Sequence, residues 1–341
     1  MLKLRSVAIL LASLLCISNA AQSQTVMHFA TWMPPGHPIN AVVLPTWTKW
    51  IEEATDNRVT VEVEYDLGDP KSMFDLVEDG VADASWGFHG YVPGRFRLTQ
   101  IVEQPLLGAN AEAASVAHWR VHQKYFADTD EFDGLVLTAL VTHGPGQIHS
   151  KEALSALADL SGKKIRVGGG VQSLIASRVG ISSVGAPAPK VYEMLQQGVI
   201  DGVFLPLSEQ KTLRLNEVAP NLTVLPGGMY LGSFSFFMNP DFLDSLSDED
   251  RAAILSVSGE RLSALGGRAQ DDFDRAGLEL ARSSGVNIHE VAAGDPMAAE
   301  FRELVKGFDE QWIESVSDYN VEARAALQEL RDIAQRYQPQ P

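Results

Sequence analysis

Few residues of this chain have the types and spacing for chemistry, and most of those stand where apolar stretches end. Arg166 lies in Lys164-Ile165-Arg166-Val167, a strand-like run. A guanidinium there can grip a carboxylate or sulfonate through two parallel N–H donors. Trp32 ends one further stretch, Trp86 and Phe88 end another, and Phe204-Leu205 ends a fourth. Ligands of open α/β sheets bind beyond the carboxyl ends of strands, so these ends define a candidate cleft. One fixed cation in an aromatic lining suits an anion with an apolar body. A plain core role competes for Trp86 and Phe88, and a surface role for Arg166. His89 and Glu209 are the other ionisable residues near the cleft, and they are the positions to test for acid–base chemistry.

Catalytic signatures are missing. The chain has no Gly-x-Ser-x-Gly elbow, no His-Glu-x-x-His and no Walker loop. Gly168-Gly169-Gly170 follows a strand, but no Gly-Lys-Ser/Thr comes after it, so it reads as a tight turn. His118 and His122 are four apart on a predicted helix, yet no third ligand stands at a metal-binding spacing. They read as a surface pair. No catalytic residue, cofactor or metal site is expected.

The ends and the composition set the compartment. Lys3 and Arg5 precede the apolar run Val7 to Ile17, and Ser18-Asn19-Ala20-Ala21 follows. That order is a secretory leader, 1–21, cleaved after Ala20 or Ala21. The run is shorter than the ~20 apolar residues of a membrane span. Cys16 is the only cysteine and leaves with the leader, so no disulfide is expected. The formal charge of −17 becomes −19 once Lys3 and Arg5 are removed. Such acidity argues against nucleic acid and anionic lipid as partners. It does not forbid an anionic ligand, because surface charge is screened beyond about 8–10 Å.

The elements that must position the cleft follow from periodicity. Residues 26–32 read as a strand, and Val43, Leu44, Trp47 and Ile51 fall at helical spacing. Val59 to Tyr65 alternates with period 2, which completes a βαβ unit and predicts a parallel sheet. Val77-Glu78-Asp79-Gly80-Val81-Ala82-Asp83 and Leu195-Gln196-Gln197-Gly198-Val199-Ile200-Asp201 share a pattern. In each, glycine suits a left-handed helix cap, and an aspartate three residues later can tie the next turn. Two copies predict two similar α/β lobes. Phe234 to Met238 reads as a buried strand crossing back. Ser247 starts a helix continued by Ile254, Val257, Leu262 and Leu265, and a charged helix runs from Asp271 to a break near Ser284-Gly285. A last helix is predicted through Phe308, Trp312, Val316, Tyr319, Ala323 and Leu327, and 336–341 is expected to be a disordered tail.

Several stretches, in order, resemble one family. They are Phe29-Ala30-Thr31-Trp32 with Gly36-His37-Pro38, Val77 to Asp83, Asp159 to Val167, Val191 to Gly202, and Phe236-Phe237-Met238-Asn239 before Leu246-Ser247. Together they resemble the solute receptors of TRAP (tripartite ATP-independent periplasmic) transporters, of the dicarboxylate-receptor type. The resemblance implies a two-lobed periplasmic binding protein fold of α/β class. Each lobe would be a mixed sheet flanked by helices, with hinge strands and a long helix near the C-terminus. The lobes would be 22–144 with 232–271, and 145–231 with 272–335. It further implies a periplasmic receptor without catalysis, closing on its ligand and docking on membrane permease subunits driven by an ion gradient. It gives Arg166 the role of pairing with the ligand carboxylate.

Two departures bear on the ligand. Many family members carry an asparagine after the Val-x-Asp-Gly turn, where this chain reads Val203-Phe204-Leu205-Pro206. Many carry a second arginine where this chain has Gly146. With Trp32, Trp86, Phe88, His89, Phe204, Leu205, Glu209 and Arg166 as candidate site residues, the wall is apolar and the polar grip reduced. A C4-dicarboxylate or sialic acid then fits poorly. A monocarboxylate or sulfonate with an apolar, aromatic or onium tail fits better. Two other readings remain open: a receptor for an ABC importer or a sensor kinase, and a periplasmic enzyme acting on a small acid.

Overall fold

Alternation in Val59-Thr60-Val61-Glu62-Val63-Glu64-Tyr65 produces a strand, and the helix before it, Leu44–Ala54, carries Pro45 in its first turn, where no N–H is needed. The computed structural model describes residues 24–337. The expected leader, 1–21, and the last four residues, Gln338–Pro341, lie outside the described residues. The strands in chain order are β1 (Thr25–Thr31), β2 (Val59–Tyr65), β3 (Ala84–Phe88), β4 (Val136–Thr142), β5 (Gln147–Ser150), β6 (Lys164–Val167), β7 (Ser182–Gly185), β8 (Gly202–Leu205), β9 (Asn221–Val224), β10 (Ser233–Met238) and β11 (Asn287–Glu290). They form two sheets, ordered β2-β1-β3-β10-β4 and β11-β9-β5-β8-β6-β7. In the first, β1 runs parallel to β2 and β3, while β10 is antiparallel to β3 and β4. In the second, β6 runs parallel to β7 and β8, and β5 is antiparallel to β8 and β9. Two mixed sheets with helices around them are the expected two-lobed α/β architecture.

The paired Gly/Asp pattern has the same job in each lobe. Gly80 and Gly198 both adopt left-handed backbone, with φ 69° and 74°. Asp83 accepts the His28 N–H at 2.8 Å, and its own N–H donates to His28 O. Asp201 treats Lys164 in the same way, also at 2.8 Å. Each carbonyl then accepts an N–H from the strand on the other side, Asn239 or Lys151. The aspartates therefore fasten adjacent interior strands of each sheet, rather than the next turn as expected.

The chain crosses from the first sheet to the second between Thr142 and Gln147, and returns between Val224 and Ser233. A third connection is the helix Glu260–Ser283, which packs on β4 and Ala111–Val121 in the first lobe and on Glu209–Thr212 and β11 in the second. Its backbone comes close enough to its neighbours to require glycine. A Cβ on Gly267 would lie 2.4 Å from Ala111 O, and one on Gly277 2.1 Å from Leu207 O.

Three expectations about helices are corrected. The run from Ser247 to Leu265 breaks at Gly259 (φ 65°), whose N–H donates to Thr138 O, and the long helix starts there instead of at Asp271. The predicted last helix is two, Phe308–Ser315 and Ala323–Arg336, parted by left-handed Asn320. Arg97 holds that break, donating to Asp318 through both η nitrogens and from Nη1 also to Ser315 O. Finally, 272–335 does not stay with the second lobe throughout. Leu327, Leu330 and Ala334 pack against Ala114, Ala117 and Val121 of the first. Two residues of the expected tail are placed: Arg336 ends a helix, and the Tyr337 hydroxyl donates to Glu112 Oε1 at 3.1 Å.

Candidate functional site

Arg166 is the third residue of β6, and only 1% of it is exposed. Its Nε donates to Ala186 O at 2.7 Å and its Nη2 to the Tyr91 hydroxyl at 3.2 Å. The same hydroxyl accepts the Ala188 N–H at 2.7 Å. Two donors thus converge on one phenol oxygen, and the phenol hydrogen is left for another acceptor. Burial raises the Tyr91 pKa, which keeps the phenol neutral. Among the described residues no carboxylate comes within ion-pair distance of Arg166, and its Nη1 has no protein partner. A buried guanidinium without a counter-charge is costly unless something else supplies one.

That something would enter a cavity between the lobes. Trp32, Met33, Phe88, Tyr91 and Phe234 line it from the first lobe. Arg166, Gln172, Ala188, Leu205, Pro206 and Glu209 line it from the second, with Gln270 from the long helix. Aromatic side chains share the lining with the buried polar groups of His37, His143, Arg166, Gln172, Glu209 and Gln270.

Glu209 opens the helix Glu209–Thr212, and its Oε2 accepts the Thr212 hydroxyl. Burial pushes its pKa up to about 7, against the opposing pull of Thr212 and Arg166. His37 Nε2 is 4.0 Å from Glu209 Oε1. Burial and the nearby His143 drop His37 to about 3, so it stays neutral and the contact is not an ion pair. Because His37 Nδ1 accepts the Ile39 N–H, the ring hydrogen sits on Nε2, facing Glu209.

Of the residues expected at the site, Arg166, Trp32, Phe88, Leu205 and Glu209 come together around the cavity. Trp86, His89 and Phe204 do not. Trp86 lies one step deeper, stacked beneath Trp32 at 4.4 Å between ring centroids, with Nε1 on Thr31 Oγ1. It sets the angle of Trp32 without lining the space. His89 is turned into the first lobe, each ring nitrogen 2.9 Å from a hydroxyl, of Ser233 and Ser235. Phe204 precedes Leu205 on a strand, so the two point to opposite faces, and Phe204 fills the second lobe's core beside Ile148 and Ile165. His118 and His122, expected at the surface, are buried as well; burial holds them neutral, with pKa values lowered to about 3 and about 4.

Sequence reasoning missed Tyr91, Gln172, Phe234 and Gln270. Tyr91 follows Phe88 by one short turn, and Gln172 is the second residue of the helix after the triple glycine, so both stood near residues already singled out. Gln270 sits mid-helix and Phe234 mid-strand, where no local signal marks them.

The triple glycine forms a seam between the lobes. A Cβ on Gly169 (φ 112°) would lie 2.0 Å from Gly90 O, and one on Gly170 2.3 Å from Glu103 Oε2. Glu103 comes from the first lobe and accepts the N–H of Val171, which opens the second-lobe helix Val171–Val179, at 3.0 Å. Its other oxygen accepts the Ser233 N–H at 3.3 Å. Burial raises its pKa to about 7. Arg166, two residues before this turn, is thereby tied to the seam.

The comparisons identify the family. The profile of bacterial extracellular solute-binding protein family 7, DctP, matches residues 29–314. A TRAP periplasmic solute-binding protein from Bordetella bronchiseptica, solved with bound (R)- and (S)-mandelate, is 33% identical, with a TM-score of 0.88 over 92% of this chain and 99% of that one. One from Rhodoferax ferrireducens, solved with copurified benzoate, is 28% identical, with a TM-score of 0.85 over 92% and 98%. One from a marine metagenome, specific for aromatic acid ligands and solved with 3-hydroxybenzoate, is 30% identical, with a TM-score of 0.85 over 92% and 99%. No helix among the described residues is long and apolar enough to cross a membrane, and no group of three or more metal-binding side chains occurs among them. Matched over most of its length, the chain belongs to family 7 of the bacterial extracellular solute-binding proteins, the DctP type, periplasmic receptors of TRAP transport.

Proposed function

We propose that this receptor captures a small aromatic monocarboxylate and delivers it to a TRAP permease. The observation that carries the reading is Arg166, a buried cation with no carboxylate beside it, facing a cavity walled by Trp32, Phe88, Tyr91 and Phe234. The ligand carboxylate would take Arg166 Nη1 and the Tyr91 phenol hydrogen, and its ring would lie among the aromatic side chains. Supporting this, similar receptors hold mandelate, benzoate and 3-hydroxybenzoate. A second carboxylate would find Arg166 already used and Glu209, a buried acid, nearby. Dicarboxylates such as succinate are therefore disfavoured.

Calorimetric titration with benzoate, mandelate and succinate tests the reading. Benzoate or mandelate should bind and succinate should not. Arg166→Ala should weaken binding by at least about 100-fold, the effect of leaving a buried charge unpaired, while the variant stays folded. Tight succinate binding, or unchanged affinity in the variant, would refute it. Uptake of the bound acid by vesicles carrying a TRAP permease pair should depend on added receptor.

A further inference from the structure

Gln270 lies in the long helix, 2% exposed, and lines the cavity with Glu209. Its carbonyl oxygen is buried and has no hydrogen-bond partner among the described residues. Its amide nitrogen makes no bond to them either. The other polar residues of the cavity are anchored. Gln172 Oε1 accepts the Gly168 N–H, His37 Nδ1 the Ile39 N–H, and Glu209 the Thr212 hydroxyl. Unpaired buried amides are rare, because they lose water and gain nothing in return. Methionine would fill the same helix position without that loss. The amide's use must then come from what occupies the cavity.

An amide offers one acceptor and one donor side by side. A ring C–H or methyl matches neither. A second carboxylate matches only the donor, and it would lie near Glu209. An ammonium matches only the acceptor. A hydroxyl matches both, giving its hydrogen to Oε1 and accepting from Nε2. We propose that the ligand carries a hydroxyl group on its aromatic body, and that Gln270 is the residue that selects for it. This rests on the reading of Arg166 as the carboxylate anchor.

The test is calorimetric titration of the purified protein with benzoate, the three hydroxybenzoate isomers, 3-methylbenzoate and isophthalate. At least one hydroxybenzoate should bind about 10-fold tighter than benzoate, and neither 3-methylbenzoate nor isophthalate should show that gain. In Gln270→Met the gain should vanish, so that the hydroxybenzoate binds no tighter than benzoate to the same variant. The ligand-free variant should melt no lower than the native protein, since an unpaired amide has been removed. A merely structural glutamine would instead lower the melting temperature and weaken every ligand alike. Benzoate binding with no preference for any hydroxyl isomer overturns this inference and leaves the carboxylate reading standing. So does a preference that survives Gln270→Met. Failure of every aromatic acid to bind the native protein overturns both.

Discussion

The Tyr91 hydroxyl accepts from two donors of the opposite lobe, the Arg166 guanidinium and the Ala188 backbone N–H. Removing it strands a buried N–H, a loss of about 1–3 kcal/mol. Since hydroxyl and donors sit on different lobes, that loss falls on the arrangement that encloses the ligand. Tyr91→Phe should therefore weaken ligand binding by about 10-fold or more. Its effect on thermal stability without ligand should be small. Equal affinity in titrations of the two proteins would show that the hydroxyl is idle. At this scale the sequence was partly legible. Arg166 could be found from its place near a strand end and from the family resemblance. The Phe204-Leu205 pair could not be resolved, because one residue of register decides which faces the cavity. Gln270 was illegible because its role depends on a helix spanning both lobes, which no local pattern reveals.

Between the elements, the turn Gly168-Gly169-Gly170 does what its sequence does not announce. It joins the strand of Arg166 to a helix whose first N–H is held by Glu103 of the other lobe. Gly169→Ala would push a methyl group into Gly90 O. Ligand affinity should fall by more than about 10-fold, because the lobes can no longer meet there. Gly307→Ala serves as the comparison. It has a similar left-handed backbone (φ 81°) but open space around its Cβ position. It should lower stability by about 1–2 kcal/mol from backbone strain alone and leave affinity unchanged. Equal affinities for the two variants would remove the seam from the account. Strands were readable from alternation and from buried apolar runs, and the two Gly/Asp turns correctly announced two lobes. Helix ends were read less well. Helical spacing of apolar residues continues across Gly259 and Asn320, so only the backbone shows that the chain turns there.

Over the whole molecule, buried ionisable groups set a pH window. Burial lowers the pKa of His37, His89, His118, His122, His143 and His149 below the ordinary 6.5. Their contribution to stability is present above pH 6.5 and is lost as pH falls, because the unfolded chain takes up the protons. Burial raises Glu103, Glu131, Glu209 and Asp274 to about 7. Theirs is present below the ordinary carboxylate range and is lost as pH rises through about 7. The two sets oppose each other in between, with the imidazoles more numerous. Thermal stability measured from pH 5 to 8 should peak at about 6.5 and fall further on the acid side. A curve still rising at pH 8 would show that these carboxyls are not buried as described.

The helix Glu260–Ser283 meets backbone at both ends of its contact with the lobes, Ala111 at Gly267 and Leu207 at Gly277. Ten residues of helix place those touching points about 15 Å apart. No side chain cushions either of them, so the helix acts as a fixed gauge for the gap between the lobes. A receptor of this build would resist spreading its lobes for a longer cargo. It would change cargo by exchanging the side chains between them, so a handful of positions such as Leu205, Phe234 and Gln270 would record what each relative carries.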